Sequence, residues 1–160
     1  MKIAKAAKLI ENCQRDVNIA FMNEVVMYLN KKEIDTHEII CAMNTKWNAL
    51  RFYPGLVGGH CIGVDPYYLI DDAKNNACHY TLTETSRLIN NSTGNYIANK
   101  TMELLIQNAI SIENSKIGIL GCTFKENCSD ERNQSCYRHY RVLKNCWRTV
   151  LCNGFKGNSC

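Results

Sequence analysis

The sequence predicts a mainly α protein that passes, late in the chain, into the start of an α/β domain. Three observations carry this. Residues Lys2 to about Lys32 contain neither Gly nor Pro and read as one long helix. Thr83 to about Gln107 reads as a second long helix. Lys116-Ile-Gly-Ile-Leu-Gly121 is a short apolar run ending in glycine, the pattern of a buried strand entering a turn.

In the first helix Ala7, Ile10, Val17, Phe21, Val25 and Tyr28 recur at spacings of three, four or seven, the period of a buried stripe. A helix of roughly thirty residues is about 45 Å long at 1.5 Å per residue, more than a small domain needs. It reads as a spine shared between domains or subunits. Asp35-Thr36 breaks it and can cap a short helix over Glu38 to Met43. A loop-rich stretch follows, Asn44 to Asp65, with Pro54, Gly55, Gly58, Gly59 and Gly63. Pro66 suits the first turn of a third helix through Tyr68 and Asp72. In the last helix Leu88, Ile89, Tyr96, Ile97, Met102, Leu104 and Leu105 are the apolar set, and Gly94 is its weak spot.

With 160 residues, 46% of them hydrophobic and 21% charged, the chain is the size of one ordinary domain with a real core. No apolar run approaches the length of a membrane span, and the charged N-terminus lacks the apolar core of a signal peptide. A cytoplasmic setting is the expectation. The net charge of +4 comes from the tail, where Arg132, Arg138, Arg141, Lys144, Arg148 and Lys156 face the single acid Glu131. No basic face interleaved with aromatics precedes it, so a nucleic-acid partner is not expected. None of the ten cysteines forms a C-x-x-C pair, and five of them lie between Cys128 and Cys160. Zinc-ribbon and thioredoxin-type readings therefore lose their main support.

Chemistry concentrates in Pro54-Gly-Leu-Val-Gly-Gly-His-Cys-Ile-Gly-Val-Asp65. Glycines around Cys61 allow tight turns and close ligand approach, and Asp65, four residues on, can act as a base or orient a water. The competing reading is a small buried cysteine in a tight loop. A metal held by His60, Cys61 and Asp65 is not expected, because adjacent ligands rarely fit one tetrahedral site. Lys8 and Asn12, four apart on one helix, can present an ammonium and an amide to one oxygen. Lys125 and Arg132, in the loop after the expected strand, suit an anionic ligand, although an exposed loop has the same composition.

The order of these segments is distinctive: K-L-I-E-N at Lys8 to Asn12, P-G-L-V-G-G-H-C-I-G-V-D-P-Y-Y-L at Pro54 to Leu69, R-L-I-N at Arg87 to Asn90, and G-x-x-F-K-E-N-x-x-D-x-R at Gly121 to Arg132. It resembles the UDP-glucose/GDP-mannose dehydrogenase family, most closely its UDP-N-acetylhexosamine branch, over about Ile3 to Ser135. The resemblance implies oxidation of the C6 alcohol of a UDP-N-acetylhexosamine to the uronic acid in two NAD-dependent steps, in polysaccharide biosynthesis. It casts Cys61 as the nucleophile that captures the aldehyde and Asp65 as the carboxylate near the hydrolytic water. Lys8 and Asn12 become the oxyanion-stabilising pair, Lys125 a substrate-contacting lysine and Arg132 a residue for the cofactor phosphates. The long first helix becomes the family's central dimerisation spine, so a homodimer is expected.

The division that follows is a central helical dimerisation domain with the catalytic Cys loop over 1–112, the start of a UDP-binding α/β Rossmann-like domain over 113–135, and a divergent tail over 136–160. The sequence departs from the family in lacking a G-x-G-x-x-G between a strand and a helix, so oxidation by this chain alone is not expected. After Asn133 the family pattern gives way to a stretch rich in Cys and Arg, which suggests a frame shift near Ser135 and a gene remnant. A genuine tail is the alternative, with Tyr140, Leu143, Trp147 and Leu151 along one helix face. The competing functions are a non-catalytic dimerisation module and a residual thiol-dependent esterase or aldehyde-binding activity at Cys61.

Overall fold

The computed structural model describes residues 2–58, 61–112, 115–120 and 149–153. Its elements run α1 (Lys2–Lys31), α2 (Thr36–Met43), α3 (Asp65–Asn75), α4 (Thr81–Gln107), β1 (Lys116–Leu120) and β2 (Thr149–Asn153). The chain is mainly α, as the sequence predicts, and divides into two compact units. One comprises Met1–Gly55 with Val64–Asn90; the other comprises Leu56–Gly63 with Asn91–Cys160.

In the first unit α1 packs against α2 and α3. Asp35 caps α2 as its sequence position suggests, its Oδ1 accepting from the backbone N–H of His37 at 2.6 Å and of Glu38 at 3.3 Å. Pro66 lies in the first turn of α3, where its missing N–H costs nothing. Ile40 on α2 and Ile70 and Ala73 on α3 supply buried apolar surface.

Three helices end through a left-handed residue that is not glycine. After α1, α3 and α4 the chain turns through Glu33 at φ 57°, Ala77 at φ 53° and Ala109 at φ 54°. In each case the next N–H reaches back five residues: Ile34 to the Leu29 carbonyl, Cys78 to Ala73 and Ile110 to Leu105. These bonds satisfy the terminal carbonyls, and the left-handed residue is what makes them geometrically possible.

The buried face of α1 differs from the one its hydrophobic period marks. Ile10, Phe21 and Tyr28 are exposed, and the buried residues are Asn12, Cys13, Asp16, Ala20, Met22, Asn23 and Leu29. The same inversion holds in α4. Leu88 and Leu104 are exposed, while Thr83, Ser86, Arg87, Asn90, Thr93 and Ala98 are buried. Gly94, the expected weak spot, lies on that buried side within an unbroken helix. The physical reason is that the polar side chains on these faces bond to one another, which removes most of the cost of burying them.

In the second unit Ala98 is fully buried, with Met102, Leu105, Ile112, Ile117 and Ile119 packed around it. β1 and β2 pair in parallel, with Lys116 opposite Thr149 and Leu120 opposite Asn153. Parallel neighbours need a crossover of a dozen or more residues, and the chain between Leu120 and Thr149 is longer than that. The alternative that placed Leu151 on a helix face is corrected here, since Leu151 belongs to β2 opposite Gly118. The β-branched Thr149-Val150 start favours the extended form. Tyr140, Leu143 and Trp147 lie outside the described residues.

Candidate functional site

α1 arranges Asn12, Asp16 and Asn23 along one side, at spacings of four and seven. Asn12 is 2% exposed and donates from Nδ2 to Oδ2 of Asp65 at 2.6 Å, joining α1 to the first turn of α3. Of the residues the sequence singles out, these two are brought together. Lys8 sits one turn earlier on α1 but faces solvent, its ammonium 2.6 Å from Glu11, which Arg15 also engages. The Lys8 hydrogen bond is the main cause holding the Glu11 carboxyl below its usual value.

Cys61 is exposed and free, at a bend from which the turn Ile62–Val64 leads into α3. His60 lies outside the described residues, as do Lys125 and Arg132. Cys13, next to Asn12 on α1, is the opposite kind of thiol. Burial, with the nearby Asp65 and Asp16 charges adding to it, pushes it up from 9.0 to about 11.

Beneath Asn12 lies a polar network that sequence reasoning missed. Arg87 on α4 donates from Nη1 to Asp16 Oδ1 at 2.5 Å, and its guanidinium lies 5.5 Å from the ring centroid of Tyr67 on α3. Asn90, one turn further along α4, donates from Nδ2 to the same Oδ1 at 2.7 Å and to the Asp16 backbone carbonyl at 2.9 Å. Asp16 Oδ2 is buried and accepts no hydrogen bond among the described residues. Burial raises the Asp16 carboxyl from its ordinary value, against the opposing pull of Arg87 and Asn90. Asn23 completes the network by donating to Asn90 Oδ1 at 2.9 Å. The signal for these residues was present in the spacing of Asn12 with Asp16 and of Arg87 with Asn90. Each pair shares a helix face, but nothing in the pattern says that the two faces meet.

The same unit has an apolar groove of about 550 Å³ whose lining includes Phe21, Met22, Ile40, Met43 and Leu50 together with Lys46 and Arg51. It contains none of the residues assigned to chemistry. Among the described residues no group of His, Cys, Asp and Glu is placed to hold a metal ion, and no helix is long and apolar enough to cross a membrane.

Several chains of known identity are similar to this one. Protein CapL of Staphylococcus aureus is 46% identical over 153 residues, covering 96% of this chain and 36% of CapL, so the likeness continues past Ser135. The UDP-N-acetyl-D-glucosamine 6-dehydrogenase of Salmonella typhi is 47% identical over 133 residues, 83% of this chain and 31% of that enzyme. The solved UDP-D-ManNAc dehydrogenase of Pyrococcus horikoshii superposes with a TM-score of 0.85 at 30% identity, over 96% of this chain and 36% of its own. The chain thus spans about a third of the length of the relatives it matches. Residues 2–92, which hold α1, α2, α3 and the polar network, match the central domain of the UDP-glucose/GDP-mannose dehydrogenase family, and the chain belongs to that family.

Proposed function

We propose that this chain is the central part of an NAD-dependent 6-dehydrogenase acting on a UDP-N-acetylhexosamine, with Cys61 as the nucleophile. The observation that carries the reading is the pairing of buried Asn12 with Asp65, four residues beyond an exposed Cys61. It puts an amide donor and a carboxylate in one fixed contact, and both belong to the motifs that mark the family.

In this reading the Cys61 thiolate attacks the C6 aldehyde of the sugar. A carbon–sulfur bond forms, and the carbonyl electron pair moves to oxygen as an oxyanion. The amide of Asn12 has a second N–H beyond the one given to Asp65, and with the Lys8 ammonium it stabilises that charge. Lys8 would exchange its present partner Glu11 for the oxyanion, a small cost for an exposed pair. Asp65, fixed by Asn12, orients or deprotonates the water that later releases the acid. Lys125 is assigned to substrate and Arg132 to the cofactor phosphates.

NAD supplies the hydride acceptor in this chemistry. The described residues do not fit it, because none of the four helices opens from a strand through a Gly-rich turn. The chain alone is expected not to complete the oxidation.

The exposed seam of Ile3, Ile10, Phe21 and Tyr28 on α1 supports a homodimer joined along this helix. A dimerisation module without catalysis is the second reading, and the same seam favours it.

The test is site-resolved alkylation of the chain by iodoacetamide across pH, with NADH formation followed in parallel for UDP-N-acetylglucosamine and UDP-N-acetylgalactosamine. Cys61 should label severalfold faster than Cys41 and Cys78, and no NADH should appear. Labelling of Cys61 at or below the rate of those two exposed thiols would remove the nucleophile and leave the dimerisation module. NADH formation lost in Cys61→Ala would overturn the statement that the chain alone is inactive.

A further inference from the structure

The segment Leu56–Val64 carries Cys61, and the residues just outside its two ends are both held by α1. Asp65 is held by Asn12 and Gly55 by Asn23. Asn12 and Asn23 are eleven residues apart, three turns along one helix face, or about 16 Å at 1.5 Å per residue. Cys61 lies six residues after one anchored residue and four before the other, so a change at either anchor reaches it along the chain.

The upstream grip has a fixed direction, set from below. Asp16 Oδ1 takes the Arg87 Nη1 hydrogen and so acts as an acceptor. Asn90 must then present Nδ2 to it, which turns Asn90 Oδ1 toward Asn23. Asn23 must answer with Nδ2, leaving its Oδ1 for the Gly55 N–H at 2.8 Å. The remaining Nδ2 hydrogen reaches the Gly55 carbonyl at 3.0 Å. The buried ion pair thus fixes two amide orientations in series, and the second clamps the backbone of Gly55 in both directions.

We propose that Asn23 is a positioning residue for the Cys61 segment, oriented by Asp16 through Asn90. Its role in catalysis rests on the reading of Cys61 as the nucleophile; its grip on the segment does not.

The experiment compares the full chain with Asn23→Ala by amide hydrogen exchange of peptides from α1 and from the stretch between Gly55 and Asp65, and by iodoacetamide labelling of Cys61 and Cys13. Loss of the clamp should speed exchange at Gly55 and in the following segment about tenfold, the order expected for one or two net hydrogen bonds. Cys61 labelling should change at least threefold, while α1 exchange and the protection of Cys13 stay as they were. If Asn23→Ala does not fold, Asn23→Ser, which stays polar without burying a charge but cannot grip Gly55 from both sides, should show a change of the same kind.

Unchanged exchange in the segment would overturn the proposal. So would Cys13 becoming labelled together with Cys61, since Asn23 would then hold the unit together rather than aim one segment. Faster exchange alongside ordinary Cys61 reactivity in the parent chain would uphold the grip and remove the nucleophile reading instead.

Discussion

Arg87 and Asp16 form an ion pair at 2.5 Å between side chains only 6% and 0% exposed. A buried pair adds little net stability over an apolar pair of the same volume, but breaking it leaves one charge unmatched. Asp16→Ala and Arg87→Ala should each lower unfolding free energy by about 3–5 kcal/mol in urea titrations. The double variant should lose less than the sum of the two. Strict additivity would mean that the charges do not depend on each other.

The three left-handed residues that end α1, α3 and α4 give a prediction of opposite sign. A side chain at positive φ costs about 1–2 kcal/mol, and glycine avoids that cost while adding flexibility to the unfolded chain. Glu33→Gly, Ala77→Gly and Ala109→Gly should each raise stability by about 0.5–1 kcal/mol, visible as a higher thermal midpoint. A lowered midpoint would mean that the terminal turns are held by something other than backbone geometry.

How much of this was legible differs by level. Long runs free of Gly and Pro mark α1 and α4; Asp35 and Pro66 mark the starts of α2 and α3; the apolar run at Lys116 marks β1. These are local signals, and they survive folding. Which face of a helix is buried is not local. Ile10, Phe21 and Tyr28 carry the apolar period of α1, yet Asn12, Asp16 and Asn23 are buried, because Asp65, Asn90 and Gly55 supply their hydrogen bonds from distant parts of the sequence. A hydrophobic period weighs transfer cost residue by residue and cannot see partners 53 or 74 positions away. The candidate site was readable as a set of motifs, and the network under it was not. The strand at Thr149 was equally hidden, since parallel pairing depends on a partner across a long crossover.

Cys13 yields a pH prediction. Its thiol is raised from 9.0 to about 11 by burial and by the Asp65 and Asp16 charges. In the unfolded chain the thiol loses its proton near its ordinary value, so between the two values only the folded form still holds it. Proton release then favours unfolding, and this contribution to stability is fully present below pH 9.0 and lost as pH rises toward about 11. Cys13→Ser should flatten the decline of unfolding free energy over that window. An equally steep decline in the variant would assign it to another group.

The last prediction concerns the outward seam. Ile10 is 54% exposed and Tyr28 is 61% exposed on the same side of α1, and Ile3 and Phe21 continue the line. Their spacing places them at first and fourth positions of successive heptads, the pattern by which one helix packs along another. The polar network occupies the inward side, so an α1–α1 contact between two copies leaves Asn12, Asp16 and Asn23 undisturbed. Ile10→Glu and Tyr28→Glu each put a charge into that contact and should weaken self-association at least about tenfold in sedimentation velocity. The circular dichroism of the helices and the protection of Cys13 should be unchanged, because neither side chain enters the inner network. Dimers of undiminished affinity in both variants would place the self-contact elsewhere, and the seam would then need a different partner.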